Sequence, residues 1–241
     1  MKWTVLLPAM LLCASGVAAK AVRTERVSGA LEFSYEWPVK ADQIAGLRAF
    51  LRSDMEKTFV EARSNAAADS RQAHANHYPF RQHSYSMAWD LEGETARLVS
   101  LEGALAFDTN GAHPNSATKA LLWDSSSGQR ISVAGLFSAA NRLEQVTRAG
   151  FCRALDAERL RRREGEHLEG DFAKCPQYKE LSIIPVDRNH NHRFDQVSFV
   201  ASPYVAGPYV EGEYDISLPV TAPLIAALKP VYRASFEAQR Q

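Results

Sequence analysis

Apolar and polar residues alternate strictly near the start of the chain: Leu31, Phe33, Tyr35 and Trp37 against Glu32, Ser34 and Glu36. A period of two predicts a half-buried strand, and Pro38 stops it. The period then changes. Ile44, Leu47, Leu51, Met55 and Phe59 fall three or four apart, which predicts a helix over 42–63, with Asp42 placed to cap its start. The Ala-rich polar run 65–76 has no clear stripe and reads as a helix tail or a loop.

Strand patterns then return. Tyr85, Met87, Trp89 and Leu91 alternate with Ser84, Ser86 and Asp90, Glu92-Gly93-Glu94 reads as a turn, and 97–107 is the return strand. Asn110-Gly111 predicts a type I′ hairpin turn, which needs positive φ. Residues 117–123 form the next strand, 125–128 a turn and 130–133 a short strand. Neighbouring strands joined by tight turns imply an antiparallel meander. Leu136-Phe137-Ser138 ends it and offers a cap for a helix through Leu143, Val146 and Phe151. A second helical stretch covers 155–164, with Cys152 between the two. Residues 181–186, 197–201 and 214–218 read as strands, and 223–228 as a short helical turn. The sequence shows no repeat and no low-complexity linker. The expected class is α+β: an antiparallel β-meander with helices packed on it.

Residues 1–19 have the pattern of a secretory signal peptide: Lys2, an apolar core at 5–12, and Val17-Ala18-Ala19 before a cut. Ala19-Lys20-Ala21 is a second candidate cut. The apolar run is shorter than the ~20 residues a membrane span needs, and nothing later in the sequence is long and apolar enough. Cys13 follows Leu12 rather than a small residue, which favours plain export over lipid anchoring. The expected address is periplasmic or secreted. A mature chain of about 220 residues makes one large domain or two small ones.

Charge is balanced, 28 basic against 28 acidic residues, which argues against a general nucleic-acid binder. The local run Arg159-Leu160-Arg161-Arg162-Arg163 is surrounded by Glu158, Glu164, Glu166 and Glu169 and reads as a solvated helix face. Export leaves Cys152 and Cys175, for which an oxidising compartment makes a disulfide the default, worth ~3 kcal/mol. Two separate buried thiols are the alternative. No CxxC spacing supports a metal pair.

Four segments carry a family likeness: Phe107-Asp-Thr-Asn-Gly-Ala-His113, Leu121-Leu-Trp-Asp124, Leu136-Phe137 before a helix, and Pro203-Tyr204-Val-Ala-Gly-Pro208-Tyr209. On these the chain resembles the RsiV-like domain family, a domain of unknown function named for the C-terminal part of a lysozyme-sensing anti-sigma factor. Similar domains occur beside a peptidoglycan deacetylase and in secreted mycobacterial antigens. The likeness is tight over 108–228 and loose before, which implies an N-terminal companion region at 22–105 and an RsiV-like domain at 106–241. The sequence shows neither the anti-sigma factor's cytoplasmic segment and membrane span nor the deacetylase's catalytic domain. The resemblance implies an extracytoplasmic binding or sensing domain and carries over no catalytic residue.

Three sets of residues could bear chemistry. Asp187, Asn189, Asn191 and Asp195 occupy positions one, three, five and nine of an EF-hand-like calcium loop, whose hard cation needs several oxygens from one short segment. Arg193 could add a backbone carbonyl at position seven. Position six is His192 instead of Gly, and position twelve is Ser198 instead of Glu. A plain polar turn between two strands is the alternative. His190 and His192 without a third ligand make a weak transition-metal pair. Asp108, His113 and Ser116 have the residue types of an acid–base–nucleophile set but lie around one turn, where turn chemistry explains them better. His113 and Asn115 remain candidate ligand contacts at a hairpin tip. Tyr204 and Tyr209, in a Pro- and Gly-rich segment, form either a platform for a sugar or protein partner or a filling for the core edge. Glu211 and Glu213 are the nearest carboxylates and match no glycosidase spacing known to us.

The function expected is that of an exported, non-catalytic domain binding a peptidoglycan fragment or a wall-degrading enzyme such as lysozyme. A cell-envelope hydrolase using Asp108 and His113, and a structural envelope protein stiffened by calcium, are the rival readings. No nucleic acid is expected as partner, nor a membrane span after signal cleavage.

Overall fold

The computed structural model describes residues 21–139 and 141–239. The expected signal peptide, Cys13 and most of the second cleavage site lie outside the described residues.

The first described element is β1 (Ala21–Val27), which the sequence reading did not place. Its inner face, Val22, Thr24 and Arg26, is only half-buried and mostly polar, so it has no apolar face to betray it. It pairs antiparallel with β2 (Leu31–Pro38), where Leu31, Phe33, Tyr35 and Trp37 are buried as the alternation requires. A short helix α1 (Val39–Gln43) leads into α2 (Ala45–Ala75). Asp42 does not cap α2. The N-cap is Ile44, with no side-chain bond, and Asp42 instead accepts a hydrogen bond from Trp37 Nε1 at 3.1 Å. The Ala-rich run is helical to Ala75, with Asn76 as the C-cap. Alanine has the highest helix propensity, and Ala66 and Ala73 are buried without needing a longer side chain.

The large sheet has the order β1-β2-β3-β4-β5-β6, completed by β3 (His83–Glu94), β4 (Leu98–Asp108), β5 (Asn115–Asp124) and β6 (Gln129–Ile131). From β3 onward it is the expected antiparallel meander. β2 and β3 pair in parallel, because α2 carries the chain back along the sheet.

Two turn assignments change. Glu92-Gly93-Glu94 lies within β3 at a bulge, and the reversal comes at Thr95 to Arg97. Asn110 takes positive φ (62°) but Gly111 does not, so the loop is longer than the two-residue type I′ turn.

α3 (Arg142–Arg162) is one helix rather than two. Leu143, Thr147, Phe151, Leu155 and Arg159, four apart, form its buried stripe, and Cys152 sits inside it. Ser138 does not cap it: its hydroxyl donates to Ala227 O at 3.2 Å, and the N-cap is Asn141. β7 (Ser182–Val186), β8 (Gln196–Ala201) and β9 (Tyr214–Pro219) form a second, antiparallel sheet, followed by α4 (Ala222–Ala227). Cys152 and Cys175 are disulfide-bonded, with Cα atoms 5.6 Å apart.

The two cores lie on opposite faces of the large sheet. Leu47, Leu51 and Met55 of α2 cover Phe33, Tyr35, Trp37, Leu101 and Trp123. On the other face Leu98 and Leu122 join Phe151, Leu155, Phe199 and Tyr214. A thin layer of Ile184, Val186 and Val200 against Ala120 fills the space between the sheets. The boundary expected after residue 105 falls inside β4, a strand that serves both cores.

Candidate functional site

The β4–β5 hairpin tip and the segment between β8 and β9 meet in one patch. At the tip, Asp108 Oδ1 accepts from Asn110 N–H at 2.8 Å, and Asn110 Nδ2 donates to Arg81 O at 2.6 Å. His113 follows. Its ring stacks on Tyr209 with centroids 3.8 Å apart and planes 24° apart. Tyr204 lies 5.6 Å from Tyr209 and 6.2 Å from His113. His113 Nδ1 is 2.8 Å from Pro114 O, and Nε2 is 3.0 Å from the Tyr204 hydroxyl. A carbonyl only accepts, so Nδ1 carries the proton, and in the neutral ring Nε2 accepts from Tyr204. Tyr209 OH donates to the same Pro114 carbonyl at 2.6 Å, and Asn115 Nδ2 donates to His113 O at 3.4 Å.

Tyr204 is 55 % exposed, and neither tyrosine belongs to the buried core. The four candidate ligand contacts, His113, Asn115, Tyr204 and Tyr209, are thus neighbours from two distant segments. Asp108 and Ser116 are not part of this arrangement. Both ring nitrogens of His113 are engaged elsewhere, and Asp108 closes a turn.

The tyrosine segment is held by the arginines at the end of α3, which corrects the solvated-face reading. Arg159 is 3 % exposed; its Nε donates to Ala206 O at 2.9 Å and its Nη2 to Lys174 O at 3.0 Å. Arg162 Nη1 donates to Glu211 O and Glu213 O, both at 2.7 Å, and its guanidinium lies over the Tyr214 ring. Arg163 binds Glu211 with two parallel bonds of 2.8 and 2.9 Å. This guanidinium holds the Glu211 carboxyl below the usual range, and burial, followed by Glu211, pushes the Tyr214 phenol up. Only Arg161, paired with Glu158, behaves as a solvated face residue. Gly207 is required here, because a Cβ would run into the Glu211 carboxylate and the Tyr214 ring.

Beside the patch, Glu213 accepts from Thr118 Oγ1 at 2.7 Å. Glu102 of β4 shares this surface. Burial first, then Glu92, Asp215, Glu213 and Asp90, push its carboxyl up to about 7. Glu92 is raised by burial and by Asp90 and Asp215, with Arg188 opposing.

The Asp187 to Asp195 loop is closed largely by its own hydrogen bonds. Asp187 accepts from Asn191 N (3.1 Å) and His192 N (2.8 Å), and Asp195 from Arg188 N (2.8 Å) and Gln239 Nε2 (3.1 Å). Asn189 and Asn191 both donate to Glu237 Oε1, at 2.5 and 2.6 Å. His192, standing where calcium loops carry Gly, has φ 67°, and His190 has φ 58°. A cleft of about 350 Å³ opens beside them, lined by Lys40, Glu92, Glu94, Arg188, His190 and His192 among others. Among the described residues no group of three or more His, Cys, Asp or Glu side chains is arranged to hold a metal ion. The loop lacks the bidentate Glu at its twelfth position, which is Ser198, and Asn189 and Asn191 are tied to Glu237, so the melting temperature is expected to be the same in calcium and in chelator. Scanning calorimetry of wild type and Asp187→Ala checks this: a calcium-dependent rise lost in the variant would establish the metal.

Sequence reasoning missed Arg159, Arg162, Arg163 and Glu211 as supports of the site. Their partners are carbonyls and a carboxylate far along the chain, which leave no periodic signal.

No family model matches the sequence, and no curated protein does. Solved structures do share the fold. A DUF3298 family protein from Pseudomonas aeruginosa is 15 % identical, with a TM-score of 0.54 over 91 % of this chain and 95 % of that one. A DUF3298 family member from Bacteroides fragilis is 14 % identical, with a TM-score of 0.50 over 83 % and 88 %. DUF3298 is the RsiV-like C-terminal domain family, and at this identity the likeness is one of fold.

Proposed function

We propose that this is an exported domain that binds a cell-envelope ligand, a peptidoglycan fragment, on the patch formed by His113, Asn115, Tyr204 and Tyr209, without catalysis of its own. One observation carries the reading: three rings from segments about 90 residues apart meet at the surface, on a loop anchored by the buried Arg159 and the half-buried Arg163. Stacked aromatic faces with polar tips suit the apolar faces and hydroxyls of a sugar. The disulfide agrees with an oxidising compartment. A hydrolase built on Asp108 and His113 would need the two in contact, and their hydrogen bonds go elsewhere.

A second reading, a wall-degrading enzyme such as lysozyme as the ligand, is favoured by one feature. Asp90, Glu92, Glu102, Glu213 and Asp215 make the surface beside the patch acidic, which suits a cationic protein face.

Calorimetric titration of the mature protein with soluble peptidoglycan fragments, and separately with lysozyme, tests both. The Tyr204→Ala/Tyr209→Ala double variant is expected to weaken binding at least tenfold, while the melting temperature falls by only a few degrees with the lost stacking. Retention of full affinity in that variant would move the site elsewhere. Absence of binding to either ligand would end the proposal.

A further inference from the structure

The segment after α3 folds back along the helix and is fixed to it at three levels. Arg148 donates to Cys175 O (3.4 Å) and Pro176 O (3.3 Å), Cys152 is bonded to Cys175, and Arg159 Nη2 donates to Lys174 O. Cys152 and Arg159 are seven residues apart, two helical turns, and so share one side of α3. Arg159 is also the residue whose Nε holds Ala206 O, two residues from Tyr204. One buried guanidinium therefore joins the disulfide-tethered segment to the tyrosine segment. Its planar fork has three partners, Ala206 O, Lys174 O and Asp156 Oδ1 (3.1 Å), so losing the Lys174 carbonyl lets the group turn towards Asp156 and weakens its hold on Ala206.

We propose that the Cys152–Cys175 bond is a redox control on the segment carrying Tyr204 and Tyr209, transmitted through Arg159. Both cysteines are only partly buried, which leaves the bond within reach of a small dithiol. The exchange is balanced: a dithiol reductant attacks through its thiolate, the S–S bond breaks, and the reductant leaves as a disulfide. Cys152 and Cys175 gain two electrons and two protons and become thiols. Lys174 then loses its covalent anchor at the neighbouring residue. Its carbonyl leaves Arg159, and the guanidinium no longer pins Ala206. The consequence for ligand binding rests on the proposed function above; the conformational link does not.

Hydrogen exchange of the mature protein, read by mass spectrometry with and without dithiothreitol, tests the link. Exchange times are kept too short to sample global unfolding. Residues 203–212 are expected to exchange at least tenfold faster after reduction, with β3 to β5 unchanged. Arg159→Lys, left oxidised, is expected to show the same fast exchange at 203–212, with no further change on reduction. Unchanged exchange at 203–212 in reduced wild type would overturn the proposal. So would an equal acceleration in β3 to β5, which would make the bond a general staple. If the segment loosens but peptidoglycan affinity stays the same, the control stands and the ligand patch is wrongly placed.

Discussion

Gly93→Ala is expected to destabilise the fold by about 3 kcal/mol, the upper part of the range for inserting one methyl group into a packed site. A Cβ at Gly93 would lie 2.8 Å from Asp187 Cβ, 2.9 Å from the Phe194 ring and 3.1 Å from the backbone nitrogen of Asp187. That nitrogen donates to Glu92 O at 2.8 Å, so it cannot retreat without breaking the bond that joins the β3 bulge to the end of β7. Denaturant unfolding monitored by tryptophan fluorescence checks the value. Gly111→Ala is the control: it meets nothing within 4 Å and does not take positive φ, so its effect should be within a few tenths of a kcal/mol. Equal midpoints for the two variants would show that the sheets can separate at Gly93 without loss.

The second large effect is a dependence on pH. Glu102 titrates near 7 in the folded protein against 4.5 for a free glutamate, so the folded state holds a proton that the unfolded chain has released. The stability this contributes is fully present below about pH 4.5 and is lost as pH rises through about 7. Full linkage over such a shift is about 3–4 kcal/mol; the side chain is partly exposed and screened, so about 1–2 kcal/mol is expected. Unfolding free energy should therefore fall between pH 5 and pH 8 by about that amount. Glu102→Gln should flatten the profile and be the more stable protein at pH 8. A wild-type profile as flat as the variant's would show that Glu102 keeps an ordinary carboxyl.

Where the sequence carried a local rule, the fold was legible. The alternation from Leu31 to Trp37 and the stripe from Leu47 to Phe59 each report a buried face, and both faces are buried as read. β1 was not legible because the inner face of this edge strand, Val22, Thr24 and Arg26, is half-buried and mostly polar, so its alternation carries no apolar signal. Gly93 read as a turn because glycine marks turns, whereas here it makes room for another segment. Of the site, the residue types were legible at His113, Tyr204 and Tyr209, and their meeting was not. The least legible part was the arginine run. A basic cluster among glutamates has the same pattern whether solvent or a distant carbonyl receives its hydrogen bonds, and only the tertiary path of residues 203–213 decides between them.

The parallel pairing of β2 with β3 also constrains the order of assembly. β3, β4 and β5 follow one another through short loops, so their ladders close at little entropic cost. β2 pairs with β3 across the whole of α2, a contact of long sequence separation that is expected to form late. Until then the β2-facing edge of β3 is an open template for a second chain. Refolding yield is therefore expected to drop with protein concentration, read as soluble fraction after dilution from denaturant, while the folded protein shows no such sensitivity.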